Sequence, residues 1–176
     1  MVAAIQATVK ISLPGLKKFA QLIKTNSPVV QTILKQWAAR YRGFIQKRFA
    51  VYSKGGGDWA PLAASTIARR RKGKGKGTIA ILRNTGLLFA ALAPVFANKP
   101  GAFEKYGMLS VTVGYGGPQK HPGSSVTIAD IASFHQVGGP NLPQRKIIVP
   151  PDADTLDGMS KDAERNLNKA GHDLTK

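Results

Sequence analysis

Apolar positions along this chain repeat first with a period of two and then with the period of a helix. Ile5, Ala7, Val9 and Ile11 fall on one side of residues 3–13, the pattern of a half-buried strand. Pro14-Gly15 interrupts it, and Leu16, Phe19, Leu22 and Ile23 then recur at helical spacing over about 15–25. The longest periodic run follows Asn26-Ser27-Pro28, where Ser27 suits a cap and Pro28 the first helical position. Val30, Ile33, Leu34, Trp37, Tyr41, Phe44, Ile45, Phe49 and Tyr52 share one broad face of this helix. Gln31, Lys35, Arg42 and Gln46 lie opposite, with Arg40 and Lys47 on a flank. Arg48 alone projects into the apolar arc, where it is placed to snorkel or to meet the terminal carbonyls.

Gly55-Gly56-Gly57 ends the run, and the bulk of Trp59 is expected to pin the following loop to the core. A short helix is expected over 63–71. Thr78–Leu82 is apolar enough to enter the core, and Asn84 or Thr85 is positioned to cap a helix through Leu87, Leu88, Ala91 and Leu92 that Pro94 stops. Val95–Ala97 and Leu109–Gly114 read as two antiparallel strands, followed by a Gly/Pro/Ser-rich loop over 114–125. Thr127 and Asp130 have capping-box spacing ahead of a helix to about Val137, which Gly138-Gly139-Pro140 terminates. Lys146–Val149 reads as a β-branched strand. Leu156, Met159, Ala163, Leu167 and Ala170 mark an amphipathic C-terminal helix, with Asp154 and Asp157 at its favourable N-terminal end. The order of elements predicts an α+β fold: a small antiparallel sheet against a long amphipathic helix, with flanking short helices. Residues 1–151 read as one domain and 152–176 as the C-terminal helix.

Composition narrows the function classes. The chain has 176 residues, 43% of them hydrophobic, and no cysteine, which excludes a disulfide framework, thiolate zinc sites and a Cys nucleophile. No apolar run approaches the roughly 20 residues of a membrane span, and the first residues do not resemble a signal peptide. The expectation is a soluble protein without a membrane partner.

Its net charge of +17 is unevenly placed. From Met1 to Arg83 there are 17 Lys/Arg against one acid, Asp58, whereas the remainder holds 9 against 8. Six cations, Arg69, Arg70, Arg71, Lys72, Lys74 and Lys76, share nine residues with three glycines. Like-charge repulsion and glycine predict a flexible basic loop there, suited to nonspecific contact with phosphates or to an acidic neighbour. No motif for reading bases accompanies it. Nonspecific nucleic-acid binding through this loop is therefore one functional expectation.

Candidate catalytic residues are few. His121, His135 and His172 are scattered and form no HExxH pattern; His121 sits in the Gly/Pro loop and is expected to face solvent. His135, beside an apolar helical face, reads as a structural histidine. GKGKG lacks the spacing of a phosphate-binding loop, and no nucleophile elbow occurs. No catalytic site, metal or cofactor is expected.

Five short motifs occur in succession: DWAPLAAST, ILRNTGLLFAAL, VTVG, IASFHQVGG and LPQRKIIV. In that order, over about 44–151, the chain resembles the bacteriophage virion-morphogenesis or tail-completion family of contractile-tailed and Mu-like phages. Trp59, Pro61, Leu62 and Thr66 match its W-x-P-L…T segment, and Leu82, Thr85, Gly86 and Leu88 its L-x-x-T-G-x-L. Val111, Val113 and Gly114 match its outgoing strand. Ala132, His135, Gln136 and Gly138 match its Y-A-x-x-H-Q-x-G turn, with Ile131 in place of Tyr, and Pro143 and Arg145 match its P-x-R. Asn84 stands where Asp is common, and the 114–125 stretch is longer than usual. The resemblance implies a structural protein of the virion neck, acting in tail completion or head–tail joining. It implies a homo-oligomeric ring around the DNA channel, contacting connector or tail proteins and genomic DNA, assembled in the host cytoplasm. Trp59, Pro61, Gly86, His135, Gly138, Pro143 and Arg145 are then scaffold residues. Arg145 is a candidate for an inter-subunit ion pair or a carbonyl clamp.

Overall fold

The computed structural model describes residues 6–9, 28–72, 79–93 and 101–173. The helix expected at 15–25, the Ser27 cap, the strand at Val95–Ala97 and the basic positions Lys74 and Lys76 lie outside them. The fold is α+β, a small antiparallel sheet packed on one long helix with short helices around it. The elements are β1 (Gln6–Val9), α1 (Pro28–Tyr52), α2 (Ala64–Lys72), α3 (Leu87–Ala91), β2 (Ala102–Tyr106), β3 (Val111–Tyr115), α4 (Ile128–Val137) and α5 (Ala153–Asp173). The strand order is β1-β3-β2, both pairings being antiparallel.

Helix α1 organises the core because its apolar face meets both β3 and α5. Val30, Ile33, Leu34, Trp37, Tyr41, Phe44, Ile45 and Phe49 are all buried, as their spacing requires. Trp37 and Arg40 fasten α5. The indole Nε1 donates to the Met159 carbonyl at 2.8 Å, and Arg40 donates through Nε and Nη2 to Asp162 Oδ2 at 2.9 and 2.7 Å. Met159 and Ala163 of α5 join the same core, whereas Leu156 is exposed.

Sequence and structure part at several points. Besides β1, β3 pairs with Ala102–Tyr106, a segment whose Ala, Glu and Lys carry weak strand signal. Helix α3 starts from Gly86 in the left-handed region (φ 75°), with no side-chain cap from Asn84 or Thr85. Arg69–Arg71 end α2, as in the helix expected over 63–71, and Lys72 extends its last turn, so none of these four cations lies in the basic loop. Arg42, expected on the polar face, is only 1% exposed. Its guanidinium meets Glu104 of β2, with Nε 2.9 Å and Nη2 2.8 Å from Oε2, while Tyr106 Oη donates to Oε1 of the same carboxylate. A charge can enter the core here because an opposite charge on the neighbouring strand meets it.

Candidate functional site

Lys146–Val149 is not a strand. It is an irregular strap whose backbone is satisfied by side chains from three other segments. Gln136 Oε1 accepts from Ile147 N and Ile148 N at 2.9 and 3.0 Å, and its Nε2 donates to Ile148 O at 2.7 Å. Trp59 Nε1 donates to Lys146 O at 3.1 Å and Tyr41 Oη to Val149 O at 2.9 Å. The strap therefore buries Ile147 and Ile148 without a sheet neighbour.

Helix α4 places Gln136. Its N-terminus is fixed by the expected capping box: Asp130 N donates to Thr127 Oγ1 at 3.0 Å and Thr127 N to Asp130 Oδ2 at 3.2 Å. Gly138, at φ 77°, ends it, and a Cβ there would stand 2.9 Å from Gln144 N. The left-handed turn and the close backbone both demand glycine. Gly139 and Leu142 then close a tight turn by reciprocal backbone bonds of 2.7 and 3.1 Å, and Arg145 N donates to His135 O at 2.7 Å. Pro143 sits exposed just after that turn.

Arg145, 4% exposed, clamps the loop after Trp59. Its Nε donates to Ala60 O at 2.9 Å and Nη2 to Pro61 O at 3.0 Å. Trp59 itself packs edge-on against Phe49 and Tyr52, with ring centroids 5.0 and 5.6 Å away. Arg48 stacks 4.2 Å from the Tyr52 ring centroid, with Nη1 3.0 Å from Tyr52 Oη. That contact explains a cation in the apolar arc.

Beside the strap, α2, α3, α4 and the 116–126 loop enclose a recess of about 100 Å³. Its polar lining is Arg70, Asn84, Thr85, His121, His135 and Arg145, set against leucine and isoleucine side chains, and none of the described lining residues is acidic. Arg70 Nη1 donates to Ala80 O at 3.0 Å. His121 is half-buried, not solvent-facing as expected. Its Nδ1 lies 3.0 Å from Pro122 O, which can only accept, so Nδ1 carries a proton; Nε2 stands 3.1 Å from Thr85 Oγ1. His135 Nδ1 is buried with no hydrogen-bond partner among the described residues. Burial, reinforced by Arg145 and Arg70, pushes its pKa down to about 4. The ring is therefore neutral at pH 7.

Motif residues far apart in sequence thus meet in one place. Leu62, Thr85, Leu88, His135 and Arg145 line the recess, and Trp59, Pro61, Gln136 and Gly138 hold its walls. Gly86 starts the helix along one wall. Arg70 belongs to this cluster, whereas Arg69, Arg71 and Lys72 are exposed on α2. The bond-making role of Gln136 and the His121–Thr85 pair escaped sequence reasoning. The available signal was a polar pair, His135-Gln136, near the end of a largely apolar helix. Among the described residues no group of three His, Asp or Glu is arranged to hold a metal, and no helix is long and apolar enough to cross a membrane.

No family model, curated protein or solved structure matches the chain.

Proposed function

We propose that this chain is a structural protein of a bacteriophage neck, acting in tail completion or head–tail joining as a homo-oligomeric ring around the DNA channel. The observation that carries the reading is the succession of five motifs, of which four, spread from Trp59 to Arg145, bring residues around one strap and recess. There they bond mostly to backbone: Trp59 to Lys146 O, Gln136 to Ile147 and Ile148, Arg145 to Ala60 and Pro61. Such groups fix the scaffold that a ring subunit needs, and the reading assigns them no catalytic step. Adjacent connector or tail proteins are the proposed partners, with the virion neck as the location and the host cytoplasm as the place of assembly.

Inactivating the gene in a phage that carries it tests the reading by electron microscopy of the lysate. Separate DNA-filled heads and tails are expected; intact infectious virions would sink it.

A second reading, nonspecific nucleic-acid binding, is favoured by the exposed cations Arg69, Arg71 and Lys72 on a helix without an acid. Its test is the salt dependence of duplex binding.

A further inference from the structure

We propose that the recess between α2, α3 and α4 binds a free tetrahedral oxyanion of the phosphate class. Its size sets the first limit. About 100 Å³ is less than the roughly 150 Å³ that accepts benzene, yet exceeds the share of several waters at about 30 Å³ each. A nucleoside or an aromatic cofactor does not fit, since sites for such ligands run to roughly 300–1,000 Å³. A phosphate or sulfate ion does.

The lining sets the charge. Two guanidinium groups, Arg70 and Arg145, reach the recess from different segments, and among the described residues no carboxylate lines it. Arg145 gives Nε and Nη2 to the neutral carbonyls of Ala60 and Pro61, and forms no ion pair among the described residues. Its charge is hydrogen-bonded but not neutralised. Arg70 and Arg145 each lower the pKa of His135, so their fields overlap at this ring. Two like charges held together in a half-buried recess favour an anion between them, and guanidinium matches the oxygens of phosphate in geometry as well as charge. The His135 ring lines the recess as well, so it senses any charge bound there. Asn84, in the same wall, brings a neutral side-chain amide that can donate to an oxyanion.

The inference is independent of the neck reading and concerns this recess alone. The test is titration of the full chain with inorganic phosphate at constant ionic strength, followed through the imidazole resonances of its three histidines. Saturable shifts of His135 and His121, which line the recess, are expected to exceed any shift of His172. Arg70→Gln is expected to weaken binding about tenfold or more, the loss of one charge-assisted contact. Asn84→Ala, which removes no charge, is expected to weaken it less, and checks the site if Arg70→Gln fails to fold. Arg145 is left intact because it clamps two carbonyls. Unsaturable or equal shifts of all three histidines overturn the proposal, as does unchanged affinity in both variants. A short blunt duplex lacking terminal phosphates discriminates the source. An identical saturable His135 shift from it overturns a free-oxyanion site in favour of contact with a phosphodiester backbone.

Discussion

Gln136 serves Ile148 as a strand partner would, accepting from its N–H at 3.0 Å and donating to its carbonyl at 2.7 Å. The same carboxamide oxygen takes the Ile147 N–H at 2.9 Å. One side chain thus satisfies three backbone groups in a segment whose isoleucines are 1% and 6% exposed. Gln136→Met keeps the approximate shape and removes all three bonds. Leaving buried amide groups unpaired costs about 1–3 kcal/mol each at most, and partial rescue by water lowers the sum. A loss of about 2–4 kcal/mol in urea-unfolding free energy is expected. A loss below about 0.5 kcal/mol would show that the strap does not depend on Gln136.

The pH dependence follows from His135. Its folded pKa, near 4, lies below the usual 6.5 because burial and the two arginines disfavour the charged ring. Between those values the unfolded chain binds a proton that the folded chain refuses, so stability rises with pH. The contribution of the neutral ring is fully present above about 6.5 and is lost as pH falls toward 4. Partial exposure screens the effect to on the order of 1–2 kcal/mol. Thermal unfolding of the parent chain and of His135→Gln checks this. The parent is expected to lose stability more steeply than the variant between pH 6.5 and 4; parallel curves would refute the assignment.

The buried pair Arg42–Glu104 joins α1 to the edge strand β2 across 62 positions. Removing one partner strands the other charge, and such cuts cost about 3–5 kcal/mol. Glu104→Gln is expected to destabilise by that order, while Arg42→Met combined with Glu104→Gln recovers much of the loss. A double-mutant cycle read by chemical denaturation decides it. Additive single effects would mean that the two side chains act independently.

Gly138 and Gly139 are adjacent and carry different burdens. A Cβ on Gly138 meets the Gln144 backbone at 2.9–3.0 Å with φ at 77°, whereas one on Gly139 meets nothing within 4 Å. Gly138→Ala is expected to cost about 1–3 kcal/mol, and Gly139→Ala less than about 0.5 kcal/mol. Equal melting temperatures for the two variants would remove the geometric argument.

The elements legible in the sequence are those set by local pattern. The α1 face, the Trp59 anchor and the Thr127–Asp130 box follow from spacing and from groups a few residues apart. What spacing hides is pairing over distance. Ile147 and Ile148 have strand composition, but their backbone partner is one side chain on α4, Gln136, and composition does not reveal which partner arrives. Arg42 carries the signature of a solvent-facing residue until Glu104 is brought to it. The recess was equally hidden: Arg70, Thr85, His121, His135 and Arg145 come from five segments, and only the folded turns at Gly86 and Gly138 bring them together. The motif order pointed to several of these residues without indicating the space between them.

The exposed end of α2 provides the last prediction. Arg69, Arg71 and Lys72 face solvent, whereas Arg70 turns inward to Ala80 O. The surface cations and the inward arginine therefore have separable roles. If the three exposed cations meet the DNA in the channel, replacing all three by Gln weakens binding to any duplex alike. It also lowers the magnitude of the log–log salt slope by up to about 3, since each lost phosphate contact removes roughly 0.9. Arg70→Gln is expected to leave that slope nearly unchanged. Fluorescence anisotropy with one duplex over a range of salt concentrations measures both. An unchanged slope in the triple variant, together with loss of binding to the isolated neck or tail, would instead assign this face of α2 to an acidic protein surface.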